Sequence, residues 1–259
     1  MFLEYLSLFF ISAIEGLTEF LPVSSTAHIL VFAKIFKVTL GMEYIVGVQL
    51  GAMLAVFVLY KERMKIIFIE VFTLKPKLVN TIIIITIPSI FCGIIFHKFD
   101  IFNIISWKVI SINLIFGGVL MLIFRQYSGK EQDIMKISKI SALKIGFFQT
   151  LAFIPGMSRS ASVIFGGLFT GLSRKCAIEI SFLSGLPIIF AASVLEFFAS
   201  YSKGSAMQSF TVLLFSMCVS FVFACIGIQG LKFIADFKKD FEIFGIYRIT
   251  MGVVLFFIM

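Results

Sequence analysis

Glu15, Glu19 and His28 share one short stretch, EGLTEFLPVSSTAH (15–28), with Pro22, Ser24, Ser25 and Thr26 between them. Much later, PGMSRSAS (155–162) sets Ser158, Arg159 and Ser160 behind a Pro-Gly pair. Carboxylates four apart share one face of a helix. Held that close they repel, unless a cation lies between them or one takes up a proton. Hard oxygen ligands favour Mg²⁺ or Ca²⁺, so Glu15 and Glu19 are candidate metal ligands. His28, beside two carboxylates and a hydroxyl cluster, could carry a proton. In the second stretch Gly156 permits a tight backbone, and a helix beginning behind it would aim free N–H groups into the break. The planar fork of Arg159 suits phosphate oxygens. Together the two stretches would supply metal ligands, an acid–base group, hydroxyls and an anion clamp, an inventory that fits phosphoryl transfer. The plainer readings are that the carboxylates cap or solvate a helix end, that His28 is a packing residue, and that Arg159 only neutralises Glu15 or Glu19.

The surroundings of these residues are greasy. Of 259 residues 60% are hydrophobic and 14% charged, and 34 are Phe; soluble domains hold about 45–50% apolar and about 25% charged residues. Mean hydropathy is +1.09. Long stretches lack the polar face at helical period that a large soluble α-protein needs, so the chain is expected to be an all-α polytopic membrane protein. Ionisable groups at membrane depth are costly, and by default they mark function. The first apolar run has no basic n-region and no small-residue cleavage site after it, so it is expected to belong to the mature fold rather than to a signal peptide. Cys92, Cys176, Cys218 and Cys225 are dispersed without metal-ligand spacing and read as packing residues. The net charge of +8 fits loops retained beside an anionic leaflet, not a nucleic-acid partner.

A span needs about 20 apolar residues, and six stretches qualify: roughly 43–60, 81–97, 104–124, 178–200, 209–231 and 243–259. Regions 2–36 and 143–172 are apolar at both ends but broken centrally by Pro, Gly, Ser and charge. Irregular backbone at membrane depth survives only when buried in protein or lining a wet cavity, so both are expected to be re-entrant helical hairpins. Their breaks match. Glu15-Gly16-Leu17 lies over Gln149-Thr150-Leu151, and Phe20-Leu21-Pro22 over Phe153-Ile154-Pro155. A hairpin followed by three spans, twice, predicts an inverted-topology repeat within a single domain 1–259: repeat 1 about 1–125, repeat 2 about 143–259, and a cytoplasmic connecting loop about 125–143. With the N-terminus outside, Lys61 to Lys77, Arg125 to Lys144, Arg174 and Lys175, and Lys232 to Arg248 fall on the inner side. Lys34, Lys37, Lys98, Lys108 and Lys203 fall outside, and this asymmetry favours that orientation.

The two stretches resemble the paired signature motifs of the undecaprenyl-diphosphate phosphatase family, the bacitracin-resistance type. These are Glu-x-x-x-Glu followed by Pro-x-Ser-Ser-(Thr/Ser)-x-His, and Pro-Gly-x-Ser-Arg-Ser-x-x-Thr. The likeness continues through QLGAMLAV (49–56), IPSIFCGIIF (87–96) and SFLSGLP (181–187). The final Thr of the second motif is Val163 here, with Ser162 before it, which puts a hydroxyl contact from that position in doubt. The resemblance implies six spans, two re-entrant hairpins, an inverted repeat and a site open to the outer face of the bacterial plasma (inner) membrane. It implies hydrolysis of undecaprenyl diphosphate to undecaprenyl phosphate and phosphate, which recycles the lipid carrier for peptidoglycan and confers bacitracin resistance, with a divalent cation, Mg²⁺ or Ca²⁺. Carried over by motif position, Glu15 and Glu19 would bind metal or position water, and Ser25 or His28 would be nucleophile or general base. Arg159, with Ser158 and Ser160, would grip the diphosphate, joined by Ser24 and Thr26. The implied partners are a polyprenyl diphosphate and the bilayer, with a homodimer left open.

PVSSTAH partly resembles the Pro-Ser-Gly-His of lipid-phosphate acid phosphatases, but that mechanism needs a His six residues beyond a Ser-Arg, where Phe165 stands. A carrier moving an anionic lipid across the bilayer would also suit broken inverted hairpins; release of phosphate by pure protein separates it from an enzyme. A purely structural scaffold gives no reason for four intramembrane ionisable groups.

Overall fold

The computed structural model describes residues 2–98, 106–127, 129–202, 210–235 and 240–259. Among them are α1 (Phe2–Glu19), α2 (Ser25–Phe36), α3 (Met42–Leu59), α4 (Lys61–Thr73), α5 (Leu78–Lys98) and α6 (Trp107–Phe124). Then come α7 (Lys139–Gln149), α8 (Arg159–Phe169), α9 (Arg174–Ser202), α10 (Phe210–Ala235) and α11 (Asp240–Ile258). No β-strand occurs among the described residues, and a bridge between Glu131 and Leu172 ties the central loop to the α8–α9 turn.

The protein is an all-α polytopic membrane protein. Segments of α5, α6, α9, α10 and α11 are each long and apolar enough to cross a bilayer. The sixth expected span is α3, 18 residues long, of which Gly47–Leu59 forms a shorter apolar stretch. Large apolar side chains face outward along these helices, among them Leu54, Phe91, Phe116, Phe190, Val222 and Phe257. Bare apolar exterior at this density needs lipid around it. The expected spans 104–124 and 209–231 begin on residues outside those described, as do the charges Lys203, Lys238 and Lys239.

Both expected hairpins are helix–break–helix units. α2 has 12 residues and α7 and α8 have 11 each. At 1.5 Å per residue they reach about 17–18 Å, well short of a core about 30 Å thick. In the first hairpin Pro22 stops the chain from continuing as α1. In the second, Pro155 and Gly156 (φ 95°) do the same after a 3₁₀ turn, Thr150–Phe153. The helices pack in matching pairs: α1 and α3 on α10, α7 and α9 on α5, α3 on α9, and α6 on α11. Small residues permit these close approaches. A Cβ on Gly16 of α1 would overlap the Ser220 carbonyl of α10, and one on Gly252 of α11 would lie 2.7 Å from the Ser111 carbonyl of α6.

Three features depart from expectation. α4 is a further helix that the span criterion passes over. It exposes Phe68, Ile69, Val71 and Phe72 along one side and carries Lys61, Glu62 and Lys65 at its start, the make-up of a helix lying in a membrane interface. Its buried Glu70 accepts N–H bonds from Lys77 (2.9 Å), Leu78 (3.0 Å) and Val79 (2.9 Å), capping α5. The connecting loop is shorter than 125–143, because Ser138 accepts from the Ser141 N–H and starts α7 at Lys139. The third concerns Arg248, grouped above with the inner-loop cations. It lies inside α11 and is fully buried. A single cation within an apolar run looks like loop-flanking charge until its partners are known.

Candidate functional site

The two breaks meet. Between them lies a cavity of about 310 Å³, lined by Glu19, Ser24, Ser25, Thr26, Ser158 and Arg159 from the two motifs. Gln49, Ser89 and Gln149 complete its polar wall, and Phe153, Ile188, Ile189 and Ala192 form an apolar one.

Arg159 opens α8 and reaches across to α1. Its Nη2 donates to Glu19 Oε1 at 2.8 Å, its Nη1 to the Ser181 carbonyl at 2.9 Å, and its guanidinium lies 5.5 Å from the centre of the Phe20 ring. The other Glu19 oxygen accepts from Ser25 Oγ at 2.7 Å. Arg159, Glu19 and Ser25 therefore form one hydrogen-bonded chain across the two hairpins. Room for the guanidinium comes from Gly185 on α9, where a Cβ would overlap Nη1.

Glu15, one turn earlier on α1, is fully buried, and neither of its oxygens has a hydrogen-bond partner. Glu19, Gln49 and Ser25 surround it without aligning for a bond. A buried carboxylate left unpaired is costly, so two orphaned oxygens next to a second carboxylate fit a bound cation or a proton. Among the described residues no group of three or more His, Cys, Asp or Glu could hold a metal. A cation here would rest on the Glu15–Glu19 pair, with Gln49 as a further oxygen donor.

Both breaks share an unusual backbone. Ser24 (φ 72°) and Ser158 (φ 71°) are non-glycine residues at positive φ, and each sits immediately before a helix. Such conformations cost about 1–3 kcal/mol and gather at functional sites. The helices they open, α2 and α8, begin beside the same cavity with their positive dipole ends, and in the first turn of α8 the Ser158 hydroxyl accepts the Ala161 N–H at 3.3 Å.

Not every residue of the motifs faces this space. His28 is buried, its Nδ1 2.8 Å from the Ser24 carbonyl and its Nε2 2.6 Å from the Tyr247 hydroxyl, with its ring stacked on Tyr247. Ser160 is buried and donates to the Phe20 carbonyl at 3.1 Å, joining the hairpins. Ser162 donates to the Ser158 carbonyl at 2.8 Å, while Val163, in place of the motif Thr, is buried in the core.

Three residues outside the motif readings hold the site. Gln149 donates to Ser89 Oγ (3.1 Å) and accepts from Ser184 Oγ (3.3 Å). It is the position matched to Glu15 when the two breaks are aligned, which was the available signal. Asn113 of α6 donates to the Pro155 carbonyl at 2.9 Å. Arg248 of α11 binds carbonyls from both breaks, and no motif announced it.

Residues 8–254 match the family described as bacitracin resistance protein BacA. The chain belongs to the BacA family. Relatives of this BacA-family chain include the undecaprenyl-diphosphatase of Wolinella succinogenes, 37% identical over 94% of each chain. That of Persephonella marina is 38% identical over 92% of each, and that of Lactobacillus delbrueckii subsp. bulgaricus 36% over 93% of each. These matches span both chains nearly end to end, not one motif alone.

Proposed function

We propose that this protein hydrolyses undecaprenyl diphosphate to undecaprenyl phosphate and phosphate, recycling the wall-polymer lipid carrier, with its site opening to the outer side of the membrane. The observation that carries this reading is the Ser25–Glu19–Arg159 chain across a cavity flanked by two helix N-termini. A hydroxyl bonded to a carboxylate is an activated nucleophile. An arginine fork beside two helix N-termini is a site for phosphate oxygens. The apolar wall of Phe153, Ile188, Ile189 and Ala192 offers the prenyl chain a surface beside them.

In this mechanism the diphosphate settles against Arg159, Ser158 and the α2 and α8 N-termini, with Ser24 and Thr26 beside it. Ser25, or a water held in its place, gives its proton to Glu19 and attacks the terminal phosphorus. The bridging P–O bond breaks and the prenyl phosphate leaves with the proton from Glu19; where Ser25 attacked, a water that Glu19 deprotonates then cleaves the phosphoserine, restoring the Ser25 hydroxyl and freeing phosphate. Ser25 is favoured over His28 as nucleophile because Ser25 lines the cavity while His28 is committed to Ser24 and Tyr247. A divalent cation held by Glu15 and Glu19 would supply Lewis-acid stabilisation of the phosphoryl oxygens. The paired packing of the helices supports reading the halves as an inverted repeat.

The test is phosphate release from prenyl diphosphates by pure protein, with chelator and then with Mg²⁺ or Ca²⁺ restored. Hydrolysis lost to chelator and regained with metal is expected, and Glu15→Gln should weaken metal dependence and rate together. Full activity in excess chelator would leave Glu15 protonated rather than metal-bound. No release from any prenyl diphosphate would favour a carrier of anionic lipid, to which the paired packing is also suited.

A further inference from the structure

We propose that Arg248 is the positioning residue of the diphosphate site: it holds the two strained turns against one another from behind, without touching substrate. This rests on the phosphatase reading above. A guanidinium has five N–H groups, and all five find main-chain carbonyls. Nη1 donates to Pro22 (3.0 Å) and Met157 (3.1 Å), one in each break. Nη2 donates to Gly156 (2.8 Å) and Asn113 (3.3 Å), and Nε to Leu114 (3.4 Å). The side chain is fully buried, and no ion pair among the described residues involves it.

A buried cation without a carboxylate is expensive to keep. Here carbonyl dipoles stabilise it, and its uncompensated charge stands directly behind the turns that face the cavity. Those turns depend on it. Because the peptide is planar and trans, turning the Met157 carbonyl toward Arg248 turns the Ser158 N–H to the opposite side. Ser158, like Gly156 and Ser24, lines the cavity. Positive φ at the non-glycine residues Ser24 and Ser158 persists only where the surroundings over-determine it, and Arg248 bonds within two residues of both. α6 contributes the matching half: Asn113 holds Pro155 as Arg248 holds Pro22, the two prolines that align between the breaks. Gly117 of α6 makes the space, since a Cβ there would overlap Nη2.

Arg248 differs from Arg159 in having no donor left to offer a ligand. Its removal should therefore mis-set the N–H groups and Arg159 rather than delete a substrate contact.

The experiment compares the full-length parent with Arg248→Lys, Asn113→Ala and Gly117→Ala in detergent or lipid. Two readouts are kcat and KM for phosphate release, and hydrogen exchange of segments 20–27 and 154–161 against α9 and α10. An ammonium keeps the charge but cannot serve five carbonyls in one plane. Arg248→Lys should lower kcat by about 100-fold, as for a mispositioned reaction geometry, with KM within about threefold of the parent on the same reasoning. Exchange should rise in both breaks while α9 and α10 stay protected. Asn113→Ala should loosen 154–161 and leave 20–27 unchanged. Parental kcat and exchange in Arg248→Lys would overturn the proposal, and so would protection lost uniformly across all helices, which marks a merely structural residue. If Arg248→Lys does not fold, Asn113→Ala and Gly117→Ala decide, and parental kcat and break exchange in both would overturn it. A parent that releases no phosphate would remove the phosphatase reading, and the exchange pattern would still report whether Arg248 holds the turns.

Discussion

Replacing Gly185 by Ala moves Arg159 without altering any charge. The new methyl would overlap Nη1 and stand 2.5 Å from Cζ and 3.0 Å from Nη2. Non-bonded atoms need about 3.5 Å, so the guanidinium must retreat by about 1–1.5 Å. It cannot do so and still bond both Ser181 at 2.9 Å and Glu19 at 2.8 Å. α9 itself gains from the change, because Ala favours a helix over Gly by about 1 kcal/mol. Stability should therefore stay near that of the parent while geometry at the phosphate suffers. A misplacement of about 1 Å can cost about 100-fold in rate, equivalent to about 2.7 kcal/mol of transition-state stabilisation. The assay is the hydrolysis rate of purified protein on a prenyl diphosphate, with thermal unfolding followed in the same sample. Arg159→Lys is the companion variant. A clamp predicts that it fails by about 10²–10³, whereas simple charge balance against Glu19 predicts that it works. Gly185→Ala within about threefold of the parent, against the about 100-fold expected, would refute the reasoning.

Three further outcomes are expected. Ser25→Ala should abolish hydrolysis, while Tyr247→Phe removes one neutral bond to His28, worth about 1 kcal/mol, and should slow the reaction about fivefold; equal losses would put the His28–Tyr247 pair in the proton path. Glu70→Ala strips three N–H bonds from the start of α5 and should destabilise the protein by about 2 kcal/mol, read as a lowered Tm with kcat unchanged in the folded fraction. Single cysteines at the exposed positions Lys37 and Lys136, in a background without the four native cysteines, should react from opposite sides of intact cells, Lys37 with an impermeant reagent and Lys136 not. The reverse would require the orientation to be redrawn.

The spans were legible because a run of apolar residues long enough to cross lipid has few other uses, and the breaks because Pro, Gly and charge within such a run do. α4 was not, since at 13 residues with a charged first turn it has neither the length nor the uniform greasiness of a span. A pairing of Arg159 with Glu15 or Glu19 could be read from their charges, but not which of the two it would be, nor the bond from Ser25 to Glu19. The burial of Ser160 against the Phe20 carbonyl and the turn of His28 toward Tyr247 could not. Sequence spacing assigns a side to a helix, but which neighbour waits on that side is decided by packing from 140 and 219 residues away. Arg248 shows the limit most sharply: its five acceptors are main-chain carbonyls, which carry no residue signature at all.

The interlocking of the two halves has a consequence for how the protein is made. α1 and α3 close on α10, and α6 on α11, so the first hairpin has no complete partner surface while the ribosome is still translating the second half. Glu15 and Glu19 would then enter the membrane before Arg159 exists to meet Glu19. The nascent first half is then expected to wait half-open, its carboxylates hydrated or protonated, and to be open to proteolysis at that stage. A chain cut within 129–138 and expressed as two fragments should recover activity when both are made together. The amino-terminal fragment alone should be degraded.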